Sequence, residues 1–516
     1  MSAPWFRQPV YRHRLIRVAL VLFFAWLAGR FWHPYYGFTR FLMMDTASAA
    51  ATLPELRAAP IFLYPDGYDG HYYAQLAARP AVDDPALNAS IDALPYRARR
   101  ILLSWTAWAA GLGDPVRAVQ AYAWLNLVLW GALAALLWRL LPCRGWRETV
   151  AWAGLLFSAG VLHSVRLALT DLLALLMVAG ATWCAAAQRR GSAAALLGLG
   201  ALARETVLLG AVTLLPAERA DKTGWVKAAG WGALAMAPLA AWMWYLGSRL
   251  GWSEPGVGNF TLPVAGFLGK WMEVVRRIKT EPDHYLALTT LLAHLGLTLQ
   301  VVYVLGRAHW RDHWWRLGAV FAGLMLLLGT AVWEGHPGAA LRVLLPLSLA
   351  FNLLAVRHRA APLIMVLGNF SVLSGVLVFW AVPPGLNELA AGRMSGGSYV
   401  VHTDTRWYAM ENWKGHAWSW SASGGGLSID LAPRTNGNRT VQLAVKGMNR
   451  RTLEIRQAGR VLWRGEIAET QQWIELPGVA VANGRIDLEL SCDAPPVSEG
   501  PGGRTLGVAV YGARVD

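Results

Sequence analysis

The stretch 62–77, FLYPDGYDGHYYAQLA, stands out in a chain otherwise rich in Leu, Ala and Trp. Asp66 and Asp69 lie three residues apart among Gly and Pro residues, and three residues with ring side chains follow at 71–73. A loop carboxylate can take the proton of an attacking hydroxyl group, which is general-base catalysis. A structural role for Asp69 stays open as well, because Asp next to glycines is a common turn former.

Cationic and acidic residues that could act with this stretch recur farther along the chain. They are Asp92, Arg97, Arg99, Arg100, Arg166, Asp171, Arg204, Glu205, Glu334, His336 and Arg342. Ionised groups beside apolar segments are costly unless they are paired or used, so single members could be helix-end anchors or ion pairs. Arginine can bind two phosphate oxygens with its planar fork.

The combination of carboxylates and arginines points to displacement of a phosphate from a sugar. No Gly-rich phosphate loop is present, so a soluble nucleotide donor has no evident cradle. A phosphate carried on a lipid could instead be reached from between helices. One carboxylate would take the acceptor's proton, and arginines would stabilise the departing phosphate. A single displacement of this kind inverts the sugar's configuration.

The composition predicts an α-helical polytopic membrane protein. Of 516 residues, 55% are hydrophobic and 15% are charged, against roughly 25% charged residues in soluble proteins. The net charge is +15, yet residues 393–516 hold 14 Lys and Arg against 12 Asp and Glu. The excess therefore lies in the first 392 residues, in short clusters between apolar runs. That pattern is typical of cytoplasmic loops and favours a lipid bilayer, not nucleic acid, as the partner.

Apolar runs and basic turns predict about eleven transmembrane helices, with the N-terminus, which includes Arg7, in the cytoplasm. The predicted crossings are about 15–31, 117–140, 149–163, 170–187, two short halves of 192–216, 228–247, 285–306, 317–332, 342–355 and 362–382. Residues 32–98 form a long first loop on the outer side, and Arg204 and Glu205 lie at the tip between the two halves. The stretch 269–279, GKWMEVVRRIK, predicts a basic amphipathic helix that faces lipid.

The composition changes near residue 399. Apolar and polar residues then alternate with period two, and the pairs Asn436-Gly437 and Asn483-Gly484 mark turns. This pattern predicts a C-terminal antiparallel β-sandwich. We therefore divide the chain into a transmembrane module, 1–392, and a β-domain, 393–516, on the same side of the membrane as the loop 32–98.

Four motifs carry a resemblance to a known family. GYDGHYYAQLA, ALPYRARRILL, SVRLALTD and LARET follow one another between about 67 and 206. They resemble a bacterial family of polytopic GT-C-type glycosyltransferases of cell-surface glycopolymer formation. Its members show G-Y-D-G-Q-F-Y, N-P-x-Y-R-x-R-R-I-L, R-x-x-L-T-D and T-R-E-T, with a similar C-terminal β-domain. The chain departs from them at His71-Tyr72, where they have Gln-Phe, and lacks the Asn before Pro-x-Tyr.

The resemblance implies an inverting glycosyltransferase of the bacterial inner membrane with a periplasmic site and a periplasmic β-domain. The donor would be a polyprenyl-phosphate-linked sugar, and the acceptor a cell-surface glycan or a lipid-linked glycan. Asp69 is the expected base, with Asp66 as the alternative. Donor phosphate binding is expected at Arg100, Arg204, Arg342 and Arg166, and substrate binding at His71, Tyr72, Tyr73, Asp171 and Glu205.

Other roles and a metal stay open. A transporter or flippase of lipid-linked sugar would move substrate without bond formation, and a non-catalytic scaffold of polysaccharide assembly would bind glycan without transfer. The three cysteines, Cys143, Cys184 and Cys492, are scattered and form no metal-ligand or disulfide pattern. We therefore assign no metal ligand and no certain cofactor, and leave open whether a divalent cation assists.

Overall fold

The fold is taken from a computed structural model. It describes residues 9–49, 51–57, 59–252, 259–280, 284–383, 385, 387–413, 416–500 and 503–516. Arg7 of the predicted cytoplasmic tail lies outside the described residues. The chain divides into two compact units. One consists of Met1–Phe31, Thr39–Ala59 and Pro65–Val382, and the other of Trp32–Phe38, Pro60–Tyr64 and Pro383–Asp516.

The first unit is helical. Its α-helices are Pro9–Gly29, Thr46–Ala49, Pro54–Arg57, Gly70–Ala78, Ala86–Ser90, Leu94–Arg97, Leu102–Ala110, Pro115–Leu140, Trp146–Leu156, Ala159–Arg166, Asp171–Ala186, Arg190–Ala201, Lys222–Leu250, Ala265–Thr280, His284–Leu305, His313–Leu327, Thr330–Trp333, Ala340–Val343, Leu345–Arg357, Pro362–Leu367 and Ser371–Leu377. Its 3₁₀ helices are Thr39–Phe41, Ala98–Arg100 and Glu205–Leu214. A short strand, Met44–Asp45, also belongs to this unit, and Leu63–Tyr64 belongs to the second.

The prediction of about eleven membrane-spanning helices is wrong. Among the described residues, two helices are long and apolar enough to cross a bilayer, judged by length and composition: Pro115–Leu140 and His284–Leu305. The apolar run at 149–163 is divided into Trp146–Leu156 and Ala159–Arg166, because Ser158 caps a new helix with its side chain. A helix of 11 residues rises about 17 Å, roughly half the thickness of a bilayer's hydrocarbon core.

The apolar run at 192–216 also divides, as the sequence predicts. The helix Arg190–Ala201 ends before Arg204, and the 3₁₀ helix Glu205–Leu214 follows. Arg204 has extended backbone, with φ −162°. The break therefore places Arg204 between the two helices and Glu205 at the first position of the second one.

The second unit contains two antiparallel sheets. The six-stranded sheet has the order Arg460–Ile467, Arg451–Gln457, Arg485–Cys492, Gly424–Ala432, Gly397–Thr403, Glu388–Met394. The five-stranded sheet has the order Gln472–Val481, Gly437–Gly447, Val508–Val515, His416–Ser421, Glu411–Trp413. A short pair, Val497–Ser498 and Thr505–Leu506, lies apart from them.

Alternation of side chains explains the core of this unit. Along Gly424–Ala432 the residues Leu427, Ile429 and Leu431 are buried, and along Gly437–Gly447 the residues Val441 and Leu443 are buried. The two sheets contribute to one hydrophobic cluster, which is the arrangement that period-two patterning favours. The C-terminal antiparallel β-structure predicted from the sequence is therefore present, and its first strand begins at Glu388, ahead of the predicted boundary at 393.

Candidate functional site

Asp69 immediately precedes the helix Gly70–Ala78, yet its side chain does not cap that helix. Its position is fixed by the glycine that follows. A Cβ atom on Gly70 would lie 2.3 Å from the carbonyl oxygen of Leu167, so the backbone packs too tightly there for any other residue. Asp69 is thus held in place by packing around it, while its carboxylate remains available for other contacts.

The carboxylate of Asp69 forms an ion pair with a neighbouring arginine. Arg97 donates to Asp69 Oδ2 from Nη1 at 2.9 Å, and it also donates to both carboxylate oxygens of Asp92, at 3.1 and 3.0 Å. The Arg97 guanidinium lies 5.1 Å from the ring centre of Tyr72. The Asp69 side chain keeps 34% of its surface exposed, so a ligand can still reach it.

Asp69 lines a cavity of about 310 Å³ in the helical unit. Pockets of this size accommodate small ligands. The polar lining consists of Asp69, Tyr73, Tyr96, Arg97, Arg99, Arg100, Thr170, Asp171, Arg204, Glu205, Thr206, Asn259 and Arg342. The apolar lining consists of Leu169, Phe260, Leu324, Leu328, Ala331, Val332, Ala339 and Val343. One part of the cavity wall is therefore strongly charged, and the other part is apolar.

Two arginines of the cavity share one buried carboxylate. Arg204 contacts Asp171 Oδ1, and Arg342 donates to Asp171 Oδ2 at 3.3 Å. The side chain of Asp171 is 2% exposed. Arg342 also donates to the hydroxyl oxygen of Tyr68 at 2.8 Å. Because one carboxylate neutralises one cation, this arrangement leaves positive charge uncompensated.

A second cluster surrounds Arg100. This guanidinium donates to Glu205 Oε2 at 3.2 Å, to the Tyr73 hydroxyl at 3.3 Å and to the Tyr96 hydroxyl at 3.2 Å. Burial opposes the charged form of Arg100, but Tyr73 and Glu205 more than offset it and raise its pKa. Arg100 is therefore a fixed cation held in a defined orientation.

Ionisation differs among the buried groups. Burial favours neutral Glu205, but the charges of Arg100 and Arg204 and the hydrogen bonds to its carboxylate together outweigh burial and lower the pKa of Glu205, so this carboxyl is ionised at neutral pH. Burial and the nearby charges of Arg100 and Arg342 lower the pKa of Arg204 to about 9. The like charges around Arg204 show that an anion bound there would be stabilised.

The cavity brings together seven of the predicted site residues. They are Asp69, Tyr73, Arg100, Asp171, Arg204, Glu205 and Arg342. They come from segments far apart in the chain; Asp171 and Arg342, for example, are 171 positions apart. Sequence order alone does not reveal that these side chains meet.

The remaining predicted residues lie elsewhere in the described structure. Asp66 is exposed and does not line this cavity. Arg166 is buried, donates to the carbonyl oxygen of Arg40 at 3.1 Å and lies 4.7 Å from the ring centre of Phe31. His71 is buried and packs on the ring of Tyr72 at 3.9 Å between centres, and neither of these two rings lines the cavity.

Tyr96 and Phe260 line the cavity without having been predicted as site residues, and Arg97 was predicted only as one of several cations that could act with the loop of Asp69. Arg97 is an exception to the pattern of basic turns predicted from the sequence, and it proves to be the partner of Asp69. Tyr96 stands in the same motif, ALPYRARRILL. The residues next to Phe260 in the sequence do not indicate a site, because Phe260 reaches the cavity by pairing with a distant segment at Leu328.

The described residues contain no group of three or more His, Cys, Asp or Glu side chains placed to hold a metal ion. Asp69 and Asp92 both form ion pairs with Arg97. Comparison of the chain with protein-family models, with curated proteins and with solved structures gave no match.

Proposed function

We propose that this protein is a glycosyltransferase that moves a sugar from a polyprenyl-phosphate carrier to a glycan or lipid-linked acceptor, with inversion. The observation that carries the proposal is a single cavity in which an accessible carboxylate, Asp69, stands with a cluster of buried arginines. Transfer from a phosphate-linked donor needs both kinds of group: a base for the acceptor and cations for the leaving phosphate.

In the proposed reaction Asp69 accepts the proton of the acceptor hydroxyl group. The hydroxyl oxygen forms a bond to the anomeric carbon of the sugar from the side opposite the phosphate. The bond between that carbon and the phosphate oxygen breaks, and the phosphate leaves with the electron pair. Because bond formation and bond breaking occur on opposite sides, the configuration inverts.

The charge of the cavity supports an anionic donor. Five arginines and three carboxylates line it, so its wall carries more positive than negative charge. Arg204 and Arg342 are the preferred phosphate ligands, because they share Asp171 and lack full compensation. Arginine forks are suited to two phosphate oxygens. Arg100 has more hydrogen-bond partners, Glu205 and two tyrosines. It would therefore add positive charge near the phosphate without binding it as a main ligand.

The apolar wall supports a lipid-linked donor in preference to a soluble one. Phe260 is 56% exposed and also lines the cavity, so an apolar surface leads outward from the charged wall. Large apolar side chains such as Leu22, Val128 and Trp244 are exposed on other helices of this unit. Exposed apolar surface marks contact with a membrane or a partner, and we propose that the reaction takes place at the periplasmic face of the bacterial inner membrane.

The decisive experiment compares two aspartates of the same loop. Asp69→Asn should lower transfer from a polyprenyl-phosphate sugar by roughly 10²–10⁴-fold, the usual contribution of a general base. Asp66→Asn, at an exposed position outside the cavity, should transfer at the wild-type rate. Transfer by the purified full-length chain would be followed with labelled donors that differ in their sugar, and the melting temperature would confirm that both variants fold.

The result also separates the alternative functions. Equal activity of the Asp69→Asn variant and the wild type would refute the assigned base. A wild-type protein that moves labelled donor across a vesicle membrane without forming a glycosidic bond would instead be a transporter. A protein that binds glycan but transfers sugar from no donor would be a scaffold.

A further inference from the structure

The helix Ala265–Thr280 has its hydrophobic side chains on the outside. Leu268, Met272 and Val275 are 53%, 70% and 48% exposed. Their spacing of four and three residues places them on one face of the helix. Burial of apolar surface is the main favourable contribution to folding, so an outward apolar stripe of this kind calls for a partner.

The opposite face of the same helix is charged and directed inward. The side chain of Lys270 is 0% exposed, and its ammonium group donates to the carbonyl oxygen of Gly335 at 2.8 Å and to Glu273 at 3.2 Å. Glu273 also pairs with Arg277 at 2.7 Å. These contacts fix the rotation of the helix, so the apolar stripe cannot turn inward without breaking them.

The helix axis is also held close to its neighbours. A Cβ atom on Gly266 would lie 2.2 Å from the carbonyl oxygen of Leu328, and Val274 is buried. The polarity of this helix is thus the reverse of that of an ordinary surface helix, on which apolar residues face the core. Contacts along the middle of the helix hold it in this orientation.

The charges beside the stripe identify the kind of partner. Arg276 and Lys279 are exposed at its C-terminal end, and they line a shallow groove together with Trp271, Met272 and Val275. An apolar stripe bordered by cations matches the boundary between acyl chains and negatively charged headgroups. A water-soluble protein partner is not expected to combine an apolar surface with an anionic border in this way.

We propose that the helix Ala265–Thr280 lies in the interface of a bilayer that contains anionic lipids. Leu268, Met272 and Val275 contact acyl chains, and Arg276 and Lys279 contact headgroup phosphates. The inward face holds the carbonyl of Gly335, in a loop between two cavity-lining stretches that end at Val332 and begin at Ala339. Lipid contact and the rim of the cavity therefore share one helix. The inference does not depend on the proposed reaction.

The test places a small fluorophore on the stripe. In the full-length chain with Cys184→Ser and Cys492→Ser, Met272→Cys is labelled with bimane, while Cys143 is buried and stays. The matched control is Val461→Cys, which is 44% exposed on a strand of the second unit. In vesicles of phosphatidylcholine and phosphatidylglycerol with brominated acyl chains, the label at 272 should lose at least half of its emission, and the label at 461 should lose little.

A second arm tests the cations. Arg276→Glu with Lys279→Glu should reduce quenching at 272 in vesicles that contain phosphatidylglycerol and change little in pure phosphatidylcholine. The matched charge reversal is Arg434→Glu with Arg460→Glu, at exposed positions of the second unit, and should have no effect. Melting temperatures of all variants are measured alongside to confirm folding.

Three results would overturn the inference. A label at 272 that stays in water in every vesicle would mean that the stripe meets no lipid. A label that is shielded from water but not quenched by brominated chains would mean that a protein, such as a second copy, covers it. Equal quenching before and after the charge reversal would exclude anionic headgroups. None of these results bears on Asp69, so the proposed function fails or stands separately.

Discussion

At the scale of single residues, Asp69 and His71 show how two neighbouring polar groups receive different roles. Asp69 is partly exposed and lines the cavity with Arg97. His71, two residues later, is 1% exposed on the helix Gly70–Ala78. Burial, partly offset by Asp45 and Asp92, lowers the pKa of His71 to about 4. The histidine is therefore a neutral core residue at neutral pH. Because its ring is buried, the structure does not support the role in substrate binding that was predicted for it.

His71→Gln should reduce the dependence of stability on pH. Because the imidazole takes up a proton near pH 6.5 in the unfolded chain but only near pH 4 when folded, its contribution is complete above pH 6.5. It is lost as the pH falls from 6.5 towards 4, by up to about 3 kcal/mol. Glutamine does not titrate, so the variant should lose less stability over this interval.

The measurement is the free energy of unfolding in urea at pH 7 and at pH 4.5. His284→Gln, at an exposed position, serves as the control and should leave the difference between the two pH values unchanged. If the wild type and His71→Gln lose the same stability on acidification, the buried neutral histidine is not the cause.

At the scale of elements, the start of the helix Gly70–Ala78 positions the candidate base. Gly70 approaches the carbonyl oxygens of Leu167 and Leu42, with the added Cβ at 2.3 and 3.0 Å. The flanking glycine at 67 is also confined, since its Cβ would meet the carboxylate of Asp45. Close approach of backbone carbonyl groups at Gly70, and of the Asp45 side chain at Gly67, accounts for the glycines on both sides of Tyr68 and Asp69.

Gly70→Ala should therefore displace Asp69 and destabilise the protein. The added methyl group meets backbone atoms that cannot rotate away, so a loss of roughly 1–3 kcal/mol is expected, with lower transfer activity. Chemical unfolding and the transfer assay measure the two effects. Gly131→Ala is the matched control: its helix leaves nothing within 4 Å of the added Cβ. The control should gain up to about 1 kcal/mol, and equal effects of both variants would contradict the role of packing.

At the scale of the whole molecule, the candidate site depends on the assembly of the helical unit. Asp171 begins the helix Asp171–Ala186, Arg204 precedes Glu205–Leu214, and Arg342 belongs to Ala340–Val343. Three separate elements thus meet at one carboxylate. The pairing of Arg204 and Arg342 with Asp171 therefore requires all three elements to be packed together.

Asp171→Asn should disturb this assembly strongly. Removal of one partner from a buried ion pair typically costs about 3–5 kcal/mol, and here the neutral side chain would leave two guanidinium groups facing each other. Inorganic pyrophosphate should raise the melting temperature of the variant, because an anion replaces the lost charge. The control Asp487→Asn removes a carboxylate that is 69% exposed and should cost at most about 1 kcal/mol. A variant as stable as the wild type would rule out the shared carboxylate.

The sequence by itself determined the local properties of this protein. The alternation of apolar and polar residues with period two predicted the strands of the C-terminal unit. Each strand buries every second side chain; in one strand these are Leu427, Ile429 and Leu431. The break at Arg204 was also predicted, because the run of 192–216 has a basic turn at each end and two basic turns are expected on the same side. The types of residue in the cavity could be selected because carboxylates and arginines are costly in apolar surroundings.

Only the tertiary structure decided which of these residues meet. In the tertiary structure Asp69 forms an ion pair with Arg97, whereas Asp66 is exposed to solvent. The sequence does not distinguish them in this way, because both are aspartates of the same loop. The tertiary structure also divided apolar runs into short helices, so that the hydropathy of a run did not give the number of spans. The physical reason is that composition and periodicity act between neighbours in the chain. Contacts such as that of Asp171 with Arg342, 171 positions apart, arise from packing of the whole unit.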